Sequence, residues 1–285
     1  VTSFGVRMEA ARSELGPLCV GIDPHPTLLG RWGLPDDASG LRTFAMTVVE
    51  ALGGRVAALK PQAAFFERHG PDGVLVLAEV LRAAVDAPGA TQVILDAKRG
   101  DIGSTMAGYA DAYLRADAPF ACDALTVSPY LGVGALGPAV EAARASGRGL
   151  FVLALTSNAE GADVQHAVGP GGGAVAAVVA GEVAALNAAD RQAGRLGSFG
   201  LVVGATVGTA VRDLGVDLAG VGGPLLAPGV GAQGAGPAEL AAVFGDARPA
   251  VLASTSRGVL VAGPGRQDLR DAAARATDDV AAALR

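Results

Sequence analysis

The chain has 285 residues, 51% hydrophobic but only 4% aromatic, with 22 Lys plus Arg against 28 Asp plus Glu and a formal net charge of −6. That length supports a full core, which must be built from Ala, Val, Leu and Ile. The acidic balance argues against nonspecific nucleic-acid binding, and no apolar run reaches the length of a membrane span.

The first residues, V-T-S-F-G-V-R-M-E-A, lack the basic-then-apolar layout of a signal peptide, so a cytoplasmic enzyme is the expectation. A helix over 4–15 precedes the first strand and is placed to close the bottom of the fold. Short apolar runs then recur at 18–23, 57–60, 93–96, 124–127, 150–155, 201–204, 225–227 and 251–254, each ending in polar or Gly-rich residues. Helix-sized segments such as 41–52, 74–85, 137–145 and 174–193 separate them. Alternation of strand and helix implies a parallel sheet. Eight such units predict a closed (β/α)₈ TIM barrel with an extra N-terminal helix, one domain over 1–285. An open doubly wound sheet is the alternative. It is disfavoured because polar residues end nearly every run, not only those beside one switch point.

The strand ends carry the chemistry. Run one ends G-I-D-P, placing Asp23 at the mouth, and run two ends in Lys60, followed by P-Q-A-A-F-F-E-R-H-G. Run three opens V-I-L-D-A-K-R-G-D-I-G-S-T at 93–105. Asp96 and Lys98, two apart, share a face if strand geometry persists. Gly100 and Gly103 allow a sharp turn, after which Met106, Tyr109 and Tyr113 fall at helical spacing. Asp96, Lys98 and Asp101 alternate in sign at the end of a buried strand, a costly place unless they pair or react. Run five ends L-T-S-N at 155–158 and continues through a long Gly-rich connection that reads as a mobile lid. Run seven leads into A-P-G-V-G-A-Q-G-A-G-P, with Gln233, and run eight into S-T-S-R-G, with Arg257. Loops after strands seven and eight are where such barrels hold phosphate.

Two of the 22 basic residues are lysines, Lys60 and Lys98, and both close strand-like runs. An ammonium is compact and can give up a proton, which guanidinium cannot do near neutral pH. Each feature also has a bland reading. Asp101 could cap the following helix, Arg257 could be a surface arginine, and Asp96 with Lys98 a structural ion pair. His25, His69 and His166 lie in loop-like stretches without metal-site spacing, and solvated loops are expected for all three. Cys19 and Cys122 read as small core residues, not a bridge. Taken together, the bland readings would need every polar residue to gather at one end of one barrel without cause.

The stretch Asp96-Ala-Lys98-Arg-Gly-Asp101-Ile102-Gly-Ser-Thr105 resembles the D-x-K-x-x-D-I-x-x-T signature of the orotidine 5′-phosphate decarboxylase family. G-I-D-P, Lys60, L-T-S-N, P-G-V-G-A-Q-G and S-R-G follow that family's order along the chain, and K-P-Q-A-A-F-F-E-R-H-G with the length resembles its longer bacterial branch. The resemblance implies a cofactor-free and metal-free lyase converting orotidine 5′-monophosphate to uridine 5′-monophosphate and carbon dioxide in pyrimidine biosynthesis. Lys60, Asp96, Lys98 and Asp101 would form a charged chain beside the substrate carboxylate, with Asp101 supplied by the partner subunit of a homodimer. Ile102 and Thr105 would cross that interface. Asp23 and Lys60 would hold ribose hydroxyls, Ser157 the pyrimidine amide, and Gln233 and Arg257 the phosphate. Pro61 departs from the large apolar residue expected after Lys60 in this branch, and it removes a backbone donor. Two rival readings are a metal-dependent sugar-phosphate decarboxylase of the same barrel group and a non-catalytic nucleotide-binding barrel. The first would need an acidic ligand near strand two, where Lys60 stands and Glu67 follows.

Overall fold

Eight parallel strands close on themselves in sequence order: β1 (Leu18–Ile22), β2 (Ala58–Pro61), β3 (Gln92–Arg99), β4 (Ala124–Val127), β5 (Gly149–Leu155), β6 (Phe199–Val203), β7 (Leu225–Pro228) and β8 (Val251–Thr255). β8 pairs back onto β1 through Leu18↔Ala253 and Cys19↔Ser254. The computed structural model describes residues 1–230 and 235–285. The predicted (β/α)₈ barrel is the observed one, and each strand lies within about two residues of its predicted run, apart from β3, which extends past Asp96 to Arg99.

Strand alternation sorts the core into two parts. Cys19, Ala58, Ile94, Ala124, Phe151, Val202, Leu226 and Leu252, drawn from all eight strands, form one buried cluster inside the barrel. Phe4, Met8 and Ala11 of the N-terminal helix Phe4–Leu15 join that cluster from below. Arg7 fastens this plug. Its guanidinium donates to Asp123 Oδ1 at 2.6 Å, Gln92 Oε1 at 3.1 Å and the Gly147 carbonyl at 2.8 Å. The other strand faces pack outward against the helices in a second, larger cluster that includes Leu59, Leu95, Leu125 and Leu225.

Where helices differ from expectation, side chains explain it. The helix predicted over 41–52 begins earlier, at Ala38, because Asp37 Oδ1 accepts from the Ser39 and Gly40 amides at 2.9 and 3.0 Å. The single helix expected over 174–193 is two, Val175–Leu186 and Ala188–Gln192. They meet at Asn187, whose buried amide donates to the Phe199 and Val221 carbonyls at 2.7 and 3.0 Å. The connection after β5 has structure of its own: a short helix, Ala162–Gln165, and an antiparallel bridge between Val168 and Ala174. His69 departs from the solvated-loop expectation, since its side chain is 10% exposed and faces Asp36 at 3.6 Å.

Candidate active site

The C-terminal ends of the strands open on a cavity of about 570 Å³, lined among others by Asp23, Lys60, Asp96, Lys98, Ser157 and Arg257. These six come from five different strand ends, and each was legible as a candidate in the sequence. Period-two alternation puts them there. Lys60 lies two residues beyond Ala58, and Asp96 two beyond Ile94, so both continue the inner face one layer above the apolar floor.

Asp96 is the hub. It is 8% exposed, and its Oδ2 accepts from Lys60 Nζ at 2.9 Å. Its Oδ1 accepts from Lys98 Nζ at 2.6 Å and from Thr126 Oγ1 at 2.9 Å. Burial alone would push the Asp96 carboxyl up. The charges of Lys60 and Lys98 and their hydrogen bonds outweigh it, holding the group down at about 2. Lys60 is 6% exposed; burial favours its neutral form, but the carboxylates of Asp96 and Asp23 reverse this and raise its pKa. Lys98 keeps 46% of its side chain open to the mouth. A buried carboxylate is thus clamped between a buried ammonium and an accessible one.

β3 does not stay regular up to this point. Its pairing with β4 jumps from Leu95↔Leu125 to Arg99↔Val127, and Lys98 takes a left-handed backbone with φ of 48°. No other non-glycine residue among those described has positive φ. Such a conformation costs on the order of 1–2 kcal/mol and persists only where its surroundings impose it. The contact between Lys98 and Asp96 therefore comes from a bulge, not from the simple alternation expected of an unbroken strand. Close backbone approach follows at once: a Cβ on Gly100 would lie 2.5 Å from the Ser128 carbonyl oxygen.

Asp23 is fixed from the turn just past β8, its Oδ2 accepting from Ser256 Oγ at 2.5 Å while Oδ1 is buried without a partner. Gly21 makes room for this pair, since a Cβ there would sit 2.1 Å from Ser256 Oγ. Pro61 leaves β2 intact against β1, where Ile22 pairs with Pro61. Toward β3 the ladder is interrupted after Leu59↔Val93 and resumes as an isolated bridge, Gln62↔Asp96, in unchanged register. The missing proline donor costs a rung without displacing Lys60.

The sequence profile of the orotidine 5′-phosphate decarboxylase / HUMPS family matches residues 16–272. The chain belongs to this family. An orotidine 5′-phosphate decarboxylase of Salinispora arenicola is 60% identical over 282 residues, covering 99% of this chain and 98% of that protein. One from Streptomyces coelicolor is 57% identical over 281 residues, covering 99% and 98%. A crystal structure from Streptomyces avermitilis superposes with a TM-score of 0.93 at 56% identity, covering 100% of this chain and 96% of that one. The OMP decarboxylase structure of Leishmania donovani gives 0.76 at 30% identity, covering 99% of both chains.

The remaining signature residues stand apart from the cavity. Asp101, Ile102 and Thr105 do not line it; Ile102 and Thr105 are exposed at the start of helix Gly103–Tyr113. Asp101 Oδ1 accepts from the next amide, Ile102 N, at 2.8 Å, and supplies no side-chain cap to that helix. Gln233 lies outside the described residues. Thr126, Ser254 and Ser256 line the cavity, although sequence reasoning passed them over. A signal was present for Thr126, the one hydroxyl in the run A-L-T-V, in phase with inward-facing Ala124. Glu67, the acid that follows Lys60 beyond β2, pairs with the Arg99 guanidinium, which also lies over the Tyr109 and Tyr113 rings. No group of three or more His, Cys, Asp or Glu positioned to hold a metal occurs among the described residues.

Proposed function

We propose that this cavity binds orotidine 5′-monophosphate and releases uridine 5′-monophosphate and carbon dioxide, a step of pyrimidine biosynthesis, without a cofactor. The observation that carries the reading is the Lys60–Asp96–Lys98 clamp at the base of a cavity whose volume suits a mononucleotide. Loss of carbon dioxide from a ring carbon leaves a carbanion. Lys98, the accessible ammonium, offsets that charge and then donates the proton that replaces the carboxylate. Asp96 stands where the substrate carboxylate approaches, so departure of carbon dioxide removes a like-charge contact. Lys60 keeps Asp96 ionised and, with Asp23 and its unpartnered Oδ1, receives ribose hydroxyls. Ser157 contacts the pyrimidine amide. Arg257, exposed just past β8, takes the phosphate together with Gln233, and this remote binding helps the reacting end.

The same reading makes the working unit a homodimer with shared sites, residues 1–285 forming one domain per subunit. Its support is that Asp101, Ile102 and Thr105 do not line their own cavity, while Ile102, Tyr130 and Leu131 leave apolar surface exposed on the loops after β3 and β4. A cytoplasmic location suits two free, buried cysteines, and no helix among the described residues is long and apolar enough to cross a membrane.

The test is to add orotidine 5′-monophosphate to chelator-stripped protein and follow loss of its ultraviolet absorbance. Turnover is expected at undiminished rate; no turnover, or turnover only after a divalent metal is restored, refutes the cofactor-free decarboxylase. Subunit mixing tests the shared site. Inactive Asp101→Ala and inactive Lys98→Ala proteins, allowed to exchange, should recover roughly a quarter of wild-type activity, because half of the chains' pairings are mixed and each mixed dimer carries one intact site. No recovery despite exchange shown by mass labelling would place Asp101 in its own subunit's site.

A further inference from the structure

The bulge in β3 sets three residues, Asp96, Ala97 and Lys98, against the single residue Thr126 of β4. A bulge leaves backbone amides without their ladder partners, and buried amides without partners are costly. Here both go to one side chain: the Ala97 and Lys98 amides donate to Thr126 Oγ1 at 3.1 and 3.0 Å. The same oxygen donates its only proton to Asp96 Oδ1 at 2.9 Å. A hydroxyl has one donor and two acceptor positions, and all three are used. Thr126 is 1% exposed, so water does not readily replace any of these bonds.

We propose that Thr126 is a positioning residue for decarboxylation: its hydroxyl holds the left-handed turn at Lys98 and so delivers that ammonium onto Asp96. The inference rests on the decarboxylase reading above. The backbone at Lys98 has no preference of its own for positive φ, and no glycine relieves it there. What compensates is the pair of amide bonds to Thr126, formed only when β3 turns at that point. The third bond couples the turn to the carboxylate that Lys98 must meet. The hydroxyl is therefore the common anchor of the backbone and the side chain, and the methyl group is incidental packing.

Valine and serine separate these two contributions, one keeping the shape and the other the hydroxyl. With Thr126→Val, kcat for orotidine 5′-monophosphate should fall on the order of a hundredfold, as expected when a reacting group is misplaced by about an ångström. KM should change far less, because Lys98 acts mainly in the transition state. Thr126→Ser should retain most of the wild-type kcat. Rates are normalised to sites titrated with uridine 5′-monophosphate, so partial unfolding does not count as lost catalysis. If Thr126→Val does not fold, Thr126→Ala provides the same comparison without the added methyl. Valine turning over like wild type, or serine as impaired as valine, overturns the proposal. Amide exchange on the unaltered protein gives a further test that does not depend on activity. Ala97 and Lys98 amides should be protected like those of the strand interior, and rapid exchange at both overturns the anchor. Wild-type protein with no turnover would refute the decarboxylase reading, while the exchange result would still judge the geometry.

Discussion

Replacing Lys60 by Met removes one jaw of the clamp while keeping an unbranched side chain only one atom shorter. Lys60 is 6% exposed and 2.9 Å from Asp96 Oδ2, and Asp96 is itself 8% exposed. Removing one partner of a buried pair leaves an uncompensated charge, which costs about 3–5 kcal/mol. The lower end applies here, because Lys98 and Thr126 still donate to Oδ1. A loss of about 3 kcal/mol should lower Tm by roughly 5 °C for a chain of this size. Asp96→Asn should cost at least as much, since it leaves two ammonium groups facing a neutral amide. The double variant should be more stable than the sum of the two losses by about 2 kcal/mol, the coupling of a contacting pair. Urea unfolding at pH 7, with slopes compared across all four proteins, measures this directly. A Lys60→Met loss below about 1 kcal/mol, or strict additivity in the cycle, would show that the two charges are solvated and not a buried pair.

Lys98→Ala should abolish turnover with the fold intact, and Lys98→Arg should also fail because guanidinium keeps its proton near neutral pH; arginine restoring turnover in a steady-state assay would remove the proton-donor role. Arg257→Ala should raise KM and lower kcat as well, where phosphate binding supports the reacting end; unchanged kinetics would place the phosphate elsewhere. The Asp96 carboxyl, held at about 2 against an ordinary value near 4, stabilises the fold above the ordinary value and loses that contribution as pH falls toward 2. The stability gap between wild type and Asp96→Asn should therefore shrink between about pH 4 and pH 2; a gap constant across that window in urea titrations would refute the depressed carboxyl.

Much of this site was legible in the sequence, because strand alternation and strand ends are local properties. Runs that end in Asp23, Lys60 and Asp96, and one that leads into Arg257, announce a mouth before any pairing is known, and the closed barrel then gathers them around one cavity. The bulge was not legible. Asp96 and Lys98 at a spacing of two suggest one face of a regular strand, and they do meet, but only because β3 gives up its register with β4. That choice depends on a side chain from another strand, Thr126, 28 residues from Lys98 in sequence. Asn187 breaks a helix that composition favours for the same kind of reason, since its partners lie at Phe199 and Val221. Polar side chains that take up backbone groups from distant elements leave no periodic trace, so local pattern reading passes over them.

The layering explains why the clamp is electrostatically strong. Directly beneath Lys60, Asp96, Thr126 and Ser254 lie Ala58, Ile94, Ala124 and Leu252, each two residues earlier on the same strand and each buried. Phe4 and Met8 of the N-terminal helix seal the barrel from below, with Phe4 packed edge to face against Phe151 of β5. Water can therefore reach the charges only from the mouth. A low-dielectric floor strengthens each contact among them, and it also makes any unpaired member costly. The balance is met by alternating sign along the layer: Asp23, Lys60, Asp96, Lys98. Of these, Lys98 is the ammonium least enclosed, which is what the proposed role of meeting a substrate carboxylate asks of it. Exposure and strain thus single out the same residue. The left-handed backbone at Lys98 holds its side chain at the boundary between the buried layer and the open mouth, the position that the proposed proton donor needs if the layer beneath is to stay intact.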